Sequence, residues 1–305
     1  MDDLLQHMCN RALRHAQARG AETALPGVRF GVISHPDAAA PTACGSGVCL
    51  ILQGTKHMVV GDRPIHYPAG HSFASMVTLP ATRSGVWAGR QKPYVATSLT
   101  LDRGAICALL SELAPLPATG RTPAFTPVPV SRPLLEAWDR YLALLDSPGD
   151  CPILAPARER ELLYRLLQSP HGPVLRQIAR QDGRLSQIRH TLEWMQQHFH
   201  EPIPIRRLAD TAQMSVASFN RHFKAATAVS PLQYLKMLRL QAARRRLSTA
   251  SDVATAAFAV GYESASQFSR EYSRFFGVSP KRDAALMRRE AQGLAQEHPG
   301  WRGTS

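Results

Sequence analysis

Apolar residues recur at helical spacing at the start of the chain, at Leu4, Leu5, Met8, Ala12 and Ala16, and predict a helix that docks by one face on the segment that follows. Between residues 27 and 103 the pattern changes. Short β-rich runs over 28–33, 47–52, 56–60, 72–77 and 94–101 alternate with breaks such as Gly61-Asp62-Arg63 and Pro68-Ala69-Gly70. Many short strands with regular turns predict a small β-barrel or a double-sheet jelly roll. A proline-rich stretch over 115–133 reads as a passage, not as a core element. Two amphipathic helices follow: Leu134, Leu135, Trp138, Leu142 and Leu145 line the first, and Leu162, Leu163, Leu166 and Leu167 the second, with Glu159 and Glu161 near its start. The second stripe suits a core and a dimer face equally well. Ser169-Pro170-His171-Gly172-Pro173 marks a boundary, after which a helix bearing Ile188, Leu192, Met195 and Phe199 leads onward.

Beyond that point the chain repeats itself. Ser215, Phe219, Arg221 and Val229-Ser230-Pro231 return forty-nine residues later as Ser264, Phe268, Arg270 and Val278-Ser279-Pro280. Each copy holds a short apolar helix (Leu208, Ala209, Ala212; Ala254, Ala257, Phe258), then a tight break (Gln213-Met214-Ser215; Gly261-Tyr262-Glu263). A second helix with aromatics four apart follows, Phe219/Phe223 and Phe268/Tyr272. This is the pattern of two helix-turn-helix units. Between them Ser230 and Pro231 supply an N-cap and an N1 proline, and Leu232, Leu235, Leu238 and Ala242 repeat at helical spacing as far as Leu247. A spacer of about 24 Å results, which with its flanking turns sets the two second helices about 34 Å apart, one turn of DNA.

The aromatics mark the buried face of each second helix, so the opposite face meets the groove. That face carries Ala217, Asn220, Arg221 and Lys224 in the first unit, and Ala265, Ser266, Ser269, Arg270 and Arg274 in the second. Arginine bonds guanine in bidentate fashion, asparagine does the same for adenine, and an alanine methyl suits the thymine methyl. The competing reading leaves Arg221 and Arg270 solvated or paired with acids such as Glu271. Their recurrence at one repeat position favours the groove.

Charge points the same way. Of a formal net charge of +13, residues 171–290 carry +10, from 19 Lys/Arg against 9 Asp/Glu, whereas residues 1–170 carry +3, from 16 against 13. A basic surplus on the duplicated segment suits a polyanion, duplex DNA before an anionic membrane surface. No apolar run is long enough to span a bilayer, and residues 1–19 hold acids and no uninterrupted apolar core of a signal peptide, which predicts a cytoplasmic protein. The five cysteines, Cys9, Cys44, Cys49, Cys107 and Cys151, fit neither a disulfide framework nor a C-x-x-C zinc site and read as reduced thiols. Cys49, on a strand near Lys56, and Cys44, in the segment 41–47, are the candidates for sensing an oxidant or electrophile.

These residues resemble the AraC/XylS family of transcriptional regulators. The likeness runs through Leu208-Ala209, Met214-Ser215, Phe219, Arg221-His222-Phe223-Lys224, Ser230-Pro231, Tyr234, Leu238-Arg239-Leu240, Ala242 and Leu247. It continues in Val260-Gly261-Tyr262-Glu263-Ser264, Gln267-Phe268-Ser269-Arg270-Glu271-Tyr272 and Phe275-Phe276-Gly277-Val278-Ser279-Pro280. The resemblance implies two helix-turn-helix subdomains joined by a long helix, an asymmetric promoter site, and usually activation, with RNA polymerase as partner. Its groove-contacting positions fall on Ala217, Asn220, Arg221, Ala265, Ser266, Ser269 and Arg270. Two departures stand out: Ala228 replaces the glycine that commonly ends the first recognition segment, and the aromatic often found shortly after the second Ser-Pro is absent, with Asp283 nearby. A left-handed cap at Ala228 costs on the order of 1 kcal/mol, which argues for a differently shaped turn there.

The N-terminal half resembles the AraC-type regulator N-terminal domain of aldehyde-responsive regulators, through Cys49-Leu50-Ile51-Leu52-Gln53-Gly54-Thr55-Lys56, Gly61-Asp62, Tyr67, Gly70-His71, Thr78-Leu79-Pro80 and Lys92-Pro93-Tyr94. That likeness, over about residues 45–115, implies a cupin-like domain that senses a small molecule or reactive aldehyde and helps form a homodimer. The expected fold is therefore α+β with two domains: a cupin-like β-barrel with flanking helices over 1–172, and an all-α DNA-binding domain over 173–292, before a flexible tail over 293–305. The alternative is a metal-dependent cupin-type enzyme, for which His57, His66 and His71 are the available ligands. They lack the tight His-x-His pair and following carboxylate of such a site, so no catalytic residue, metal or cofactor is expected.

Overall fold

The computed structural model describes residues 1–19, 23–33, 47–60, 63–77, 85–87, 92–113, 125–179, 183–247 and 252–297. Helix α1 (Asp2–Arg19) buries Met8, Cys9 and Ala12 on the face its sequence predicts. Strands β1 (Val28–Ile33), β2 (Gly47–Gln53), β3 (Thr55–Val60), β4 (Arg63–Pro68), β5 (His71–Ser75), β6 (Gly85–Trp87) and β7 (Tyr94–Thr100) follow, then α2 (Arg103–Glu112) and the two-residue β8 (Val128–Pro129). They form two antiparallel sheets, ordered β1-β7-β2-β5-β8 and β4-β3-β6. Among the described residues the ladders form these two sheets and none closes a barrel, an arrangement that fits the double-sheet alternative. The chain changes sheet between β2 and β3 at Gly54, whose φ of +80° only glycine adopts without strain.

Central β2 is buried almost throughout, which is why it reads as an unbroken apolar run instead of an alternation. Strand β4 escaped prediction because Pro64 and Pro68 break the pattern; it is an edge strand, where a missing N–H is tolerated. Residues 125–133 of the proline-rich stretch are also more than a passage. Phe125 and Val130 are core residues, Phe125 N–H donates to Ala74 O at 3.0 Å, and β8 pairs with β5.

Helices α3 (Arg132–Leu142) and α4 (Cys151–Gln168) pack together, with Trp138, Tyr141, Leu162, Leu163, Leu166 and Leu167 fully buried. The leucine stripe of α4 is therefore core within a single chain. Arg11 of α1 is inserted against this layer, its Nε 2.7 Å from Asp146 Oδ2 and its Nη1 2.5 Å from Asp139 Oδ1. Helix α5 (Gly172–Ala179) packs on α2 and α4, and His171 just before it bonds Ser72 Oγ of β5 through Nε2 at 2.8 Å.

The remaining helices are α6 (Gly183–His198), α7 (Ile205–Thr211), α8 (Val216–Thr227), α9 (Pro231–Leu247), α10 (Val253–Phe258), α11 (Ala265–Phe276) and α12 (Pro280–Glu297). Helix α9 is apolar on more than one face because it serves two cores. Tyr234, Leu235 and Met237 belong to a cluster that reaches back to α1, while Leu240, Ala242, Ala243 and Leu247 join α10, α11 and Ala284.

Candidate nucleic-acid interface

Helices α7 and α8 form one helix-turn-helix, α10 and α11 another. In the first, Gln213 at φ +52° makes the turn, and the Ser215 hydroxyl caps α8 by accepting from Ser218 N–H at 3.3 Å. In the second, Gly261 at φ +88° makes the turn and Ser264 accepts from Gln267 N–H at 3.3 Å. The turns share one more bond: Met214 N–H donates to Ala209 O at 2.9 Å, and Tyr262 N–H to Ala257 O at 3.1 Å. Gln213 and Gly261 are thus equivalent, forty-eight residues apart, while the caps Ser215 and Ser264 are forty-nine apart. The second turn is one residue longer, the insertion being absorbed near Glu263. The first-helix pairing follows the shorter spacing, so Leu208, Ala209 and Ala212 match Ala256, Ala257 and Val260, all buried. This corrects the placing of Phe258 in the second core: it corresponds to Asp210 and is 56% exposed.

The recognition helices also end alike. Ala228 takes the left-handed conformation at φ +62° and its N–H donates to Lys224 O at 2.8 Å; Gly277, at φ +77°, donates to Ser273 O at 2.8 Å. The expected change of turn shape at Ala228 does not occur, because buried Val229 and Thr227, whose hydroxyl donates to Phe223 O and Val229 O, hold the cap. Spacer helix α9 opens with a reciprocal capping box: Ser230 N–H donates to Gln233 Oε1 at 3.1 Å and Gln233 N–H to Ser230 Oγ at 3.3 Å. Its 17 residues give a length of about 26 Å.

Phe219, Phe223, Phe268 and Tyr272 are fully buried. On α8, Ala217, Arg221 and Lys224 are exposed and Asn220 is half-buried; on α11, Ser266, Arg270 and Arg274 are exposed, and Ala265 and Ser269 half-buried. Arg221 and Arg270 form no ion pair among the described residues. Glu271 is occupied elsewhere, 3.1 Å from Lys236 Nζ and accepting from Tyr262 Oη at 2.9 Å. Burial pushes the Glu271 pKa up, but the bonds from Lys236 and Tyr262 outweigh it and hold the carboxyl below its ordinary range. Asn220 is less free than its sequence position suggests, since its Nδ2 donates to Val216 O at 3.0 Å. Lys281 and Arg282, exposed in the first turn of α12, add cations that the face argument did not single out and that only the regional charge surplus signalled.

The two units are tied across α9. Arg239 Nε donates to Phe199 O and its Nη2 to Glu201 O, both at 2.7 Å. A Cβ at Gly261 would lie 2.3 Å from His200 O, so that glycine serves close approach as well as φ.

The other candidates lie in the first half. Cys49 is on β2 and 5% exposed; Cys44 lies outside the described residues. Cys9 is buried, which raises its thiol pKa, and the Cys107 thiol donates to Ala179 O at 3.4 Å. His57 and His66 face each other across β3 and β4, Nδ1 to Nδ1 2.5 Å, whereas His71 is on β5 of the other sheet. The described residues contain no cluster of three or more His, Cys, Asp or Glu side chains arranged to hold a metal ion.

Comparison with known proteins gives two family matches. Residues 24–174 match the AraC-type transcriptional regulator N-terminus, a longer span than the resemblance over 45–115, and residues 208–284 match a helix-turn-helix domain. The HTH-type transcriptional activator RhaS of Escherichia fergusonii is 28% identical over 193 residues, covering 61% of this chain and 68% of that protein. RhaS of Pectobacterium carotovorum is 34% identical over 102 residues, covering 32% of this chain and 37% of that protein. The chain thus spans about two thirds or less of the length of these relatives. Among solved structures, the DNA-binding domain of AdpA in complex with a target DNA is 31% identical, covering 34% of this chain and 94% of that one, with a TM-score of 0.33.

Proposed function

We infer, from the premise that this chain belongs to the AraC family of transcriptional regulators, that residues 173–292 bind promoter DNA with α8 and α11 in successive major grooves, under the control of residues 1–172. The observation that carries this reading is the solvent-facing set Ala217, Asn220, Arg221 and Lys224 on α8, matched by Ala265, Ser266, Ser269, Arg270 and Arg274 on α11. Both helices are seated on buried aromatic pairs and capped at both ends, so the face is held rigidly. Activation through RNA polymerase is part of the proposal, supported by the activators among its relatives.

The cupin-like N-terminal domain is read as the sensor, taking a small molecule or a reactive aldehyde. The burial of Cys49 favours a reversibly held ligand over an adduct at that thiol. Homodimerisation is proposed on the general ground that two-fold dimers are the commonest oligomers. The leucine stripe of α4 is not its surface. A map of promoters occupied in cells by the full chain, set against one for Arg221→Ala with Arg270→Ala, tests the reading. Discrete promoter peaks that vanish in the double variant are expected; an identical map for both proteins overturns it.

A further inference from the structure

Arg221 and Arg270 are each followed by a side chain that is bonded to another helix. After Arg221 comes His222, whose Nε2 accepts from Arg184 Nη1 of α6 at 3.2 Å; after Arg270 comes Glu271, 3.1 Å from Lys236 Nζ of α9. Helix α6 precedes the first helix-turn-helix as α9 precedes the second, so each recognition helix is braced from the helix that leads into its own unit. The two braces differ in what they join. Leu185, Ile188 and Leu192 of α6 share a core with Phe219 and Phe223 of α8, and the first brace stays within that core's own unit. Lys236 stands between Leu235 and Met237, which belong to the same core, whereas Phe268 and Tyr272 of α11 belong to the other cluster, with Leu240, Ala243 and Leu247. The second brace therefore crosses from one core to the other.

We propose that Lys236 and Glu271 are positioning residues that fix the angle of α11 about α9, and with it the number of base pairs between the two grooves the protein reads. The proposal rests on the reading of α8 and α11 as recognition helices in successive major grooves. The second unit is held to the C-terminal half of α9 by its core, and it abuts the first unit at Gly261, which lies against His200 O. Towards the N-terminal half of α9, packing gives way to a cavity of about 270 Å³ lined by Leu232, Leu235, Tyr262 and Gln267. Lys236 and Glu271 also line this cavity, and their bond bridges its α9 and α11 walls. The cavity leaves room for α11 to swing, and the bridge restrains it.

An exposed ion pair by itself contributes little. Glu271, however, is partly buried and also accepts from Tyr262 Oη at 2.9 Å and from Gln267 Nε2 at 3.4 Å. Three donors thus fix one carboxylate, and Tyr262, next to Gly261, ties it to the turn that abuts the first unit. One base pair added between the half-sites moves the second groove by about 3.4 Å and rotates it by about 34°. A brace of this strength is too weak to decide whether DNA is bound. It is strong enough to decide which spacing is bound best.

The experiment measures the affinity of the full chain, as wild type, Lys236→Met, Lys236→Arg and Glu271→Gln, for duplexes of its promoter site with one base pair added, removed or unchanged between the half-sites. Wild type is expected to favour the native spacing by about tenfold or more. Lys236→Met and Glu271→Gln should each shrink that ratio by about threefold to fivefold, the range of such a pair, while Lys236→Arg, which keeps the pair, should preserve most of it. A ratio unchanged in both neutral variants overturns the proposal: an equal loss at every spacing makes Lys236 a phosphate contact, and an equal gain for Glu271→Gln makes that carboxylate merely repulsive to DNA. A wild type indifferent to spacing overturns the two-groove reading and the proposal with it, whereas a spacing-dependent wild type matched by its variants leaves that reading standing and removes Lys236 and Glu271 from it.

Discussion

Tyr272 of α11 donates its phenolic hydrogen to the Asp283 carboxylate of α12 at 2.6 Å. Arg244 of α9 reaches the same carboxylate, Nε to Oδ2 at 2.9 Å and Nη2 to Oδ1 at 3.3 Å, with its guanidinium over Phe276. Burial and the bond to Asp283 both push the Tyr272 pKa up, so the phenol stays a donor at any ordinary pH. One carboxylate thus joins α9, α11 and α12 of the second unit through directional polar contacts.

Asp283→Ala should accordingly destabilise the second unit by about 3 kcal/mol, since it strands a buried hydroxyl and a partly buried guanidinium. Asp283→Asn, which still accepts from Tyr272 but gives up the charge, should lose less. Urea unfolding of the full chain, followed at the helical far-ultraviolet signal, measures both. An alanine variant as stable as wild type would show the three-helix tie to be energetically idle.

Ala228 holds a left-handed conformation that glycine adopts without penalty, as Gly277 does at the equivalent place. Ala228→Gly should therefore stabilise the chain by about 1 kcal/mol, less the entropy glycine loses on folding. The same change at Ala226, helical and buried, should do the opposite. Thermal unfolding of the two variants side by side checks the sign, and a destabilised Ala228→Gly would mean that its methyl contributes packing that outweighs the strain.

Much of this arrangement is legible in the chain. The paired aromatics, Ser caps and Ser-Pro steps of α8 and α11 are local signals, and the local chemistry that writes them also builds them. Phe258 was misplaced because one residue added to the second turn shifts its helix face, and a single spacing of forty-nine cannot carry two registers. The leucine stripe of α4 was ambiguous because an intrachain core and a dimer face demand the same periodicity. Phe125 was hidden in a proline-rich stretch, and its place is fixed by Tyr67 and Ala74, more than fifty residues earlier in sequence.

His171 is buried against Ser72, and burial pushes its pKa down to about 4. In the unfolded chain an imidazole titrates near about 6.5. Between those values the unfolded state binds more protons, so stability is full above the unfolded value and falls as pH drops from about 6.5 towards about 4, by on the order of 3 kcal/mol. Urea midpoints for wild type and His171→Gln across this range test it: the wild-type midpoint should fall more steeply than that of the variant. Parallel slopes would show that His171 is not the group responsible.

Arg221 and Arg270 occupy the same position on the two recognition helices, but their surroundings differ. Around Arg221 lie Asn220 and Lys224, whereas Arg270 is flanked by Ser266, Ser269 and Arg274. Hydroxyls discriminate bases less sharply than a guanidinium or an amide, so the first unit should supply more of the sequence preference and the second more of the general grip. Arg221→Ala is expected to cost about 1–3 kcal/mol on the cognate site, concentrated at one base pair, while barely changing affinity for random duplex. Asn220→Ala should cost less, because the amide must first give up its bond to Val216 O before it can reach adenine. Fluorescence anisotropy with a panel of single-base-pair variants of the site, at two salt concentrations, separates the roles. An equal loss on cognate and random DNA, with a shallower salt dependence, would make Arg221 a phosphate contact and move the reading of sequence to α11.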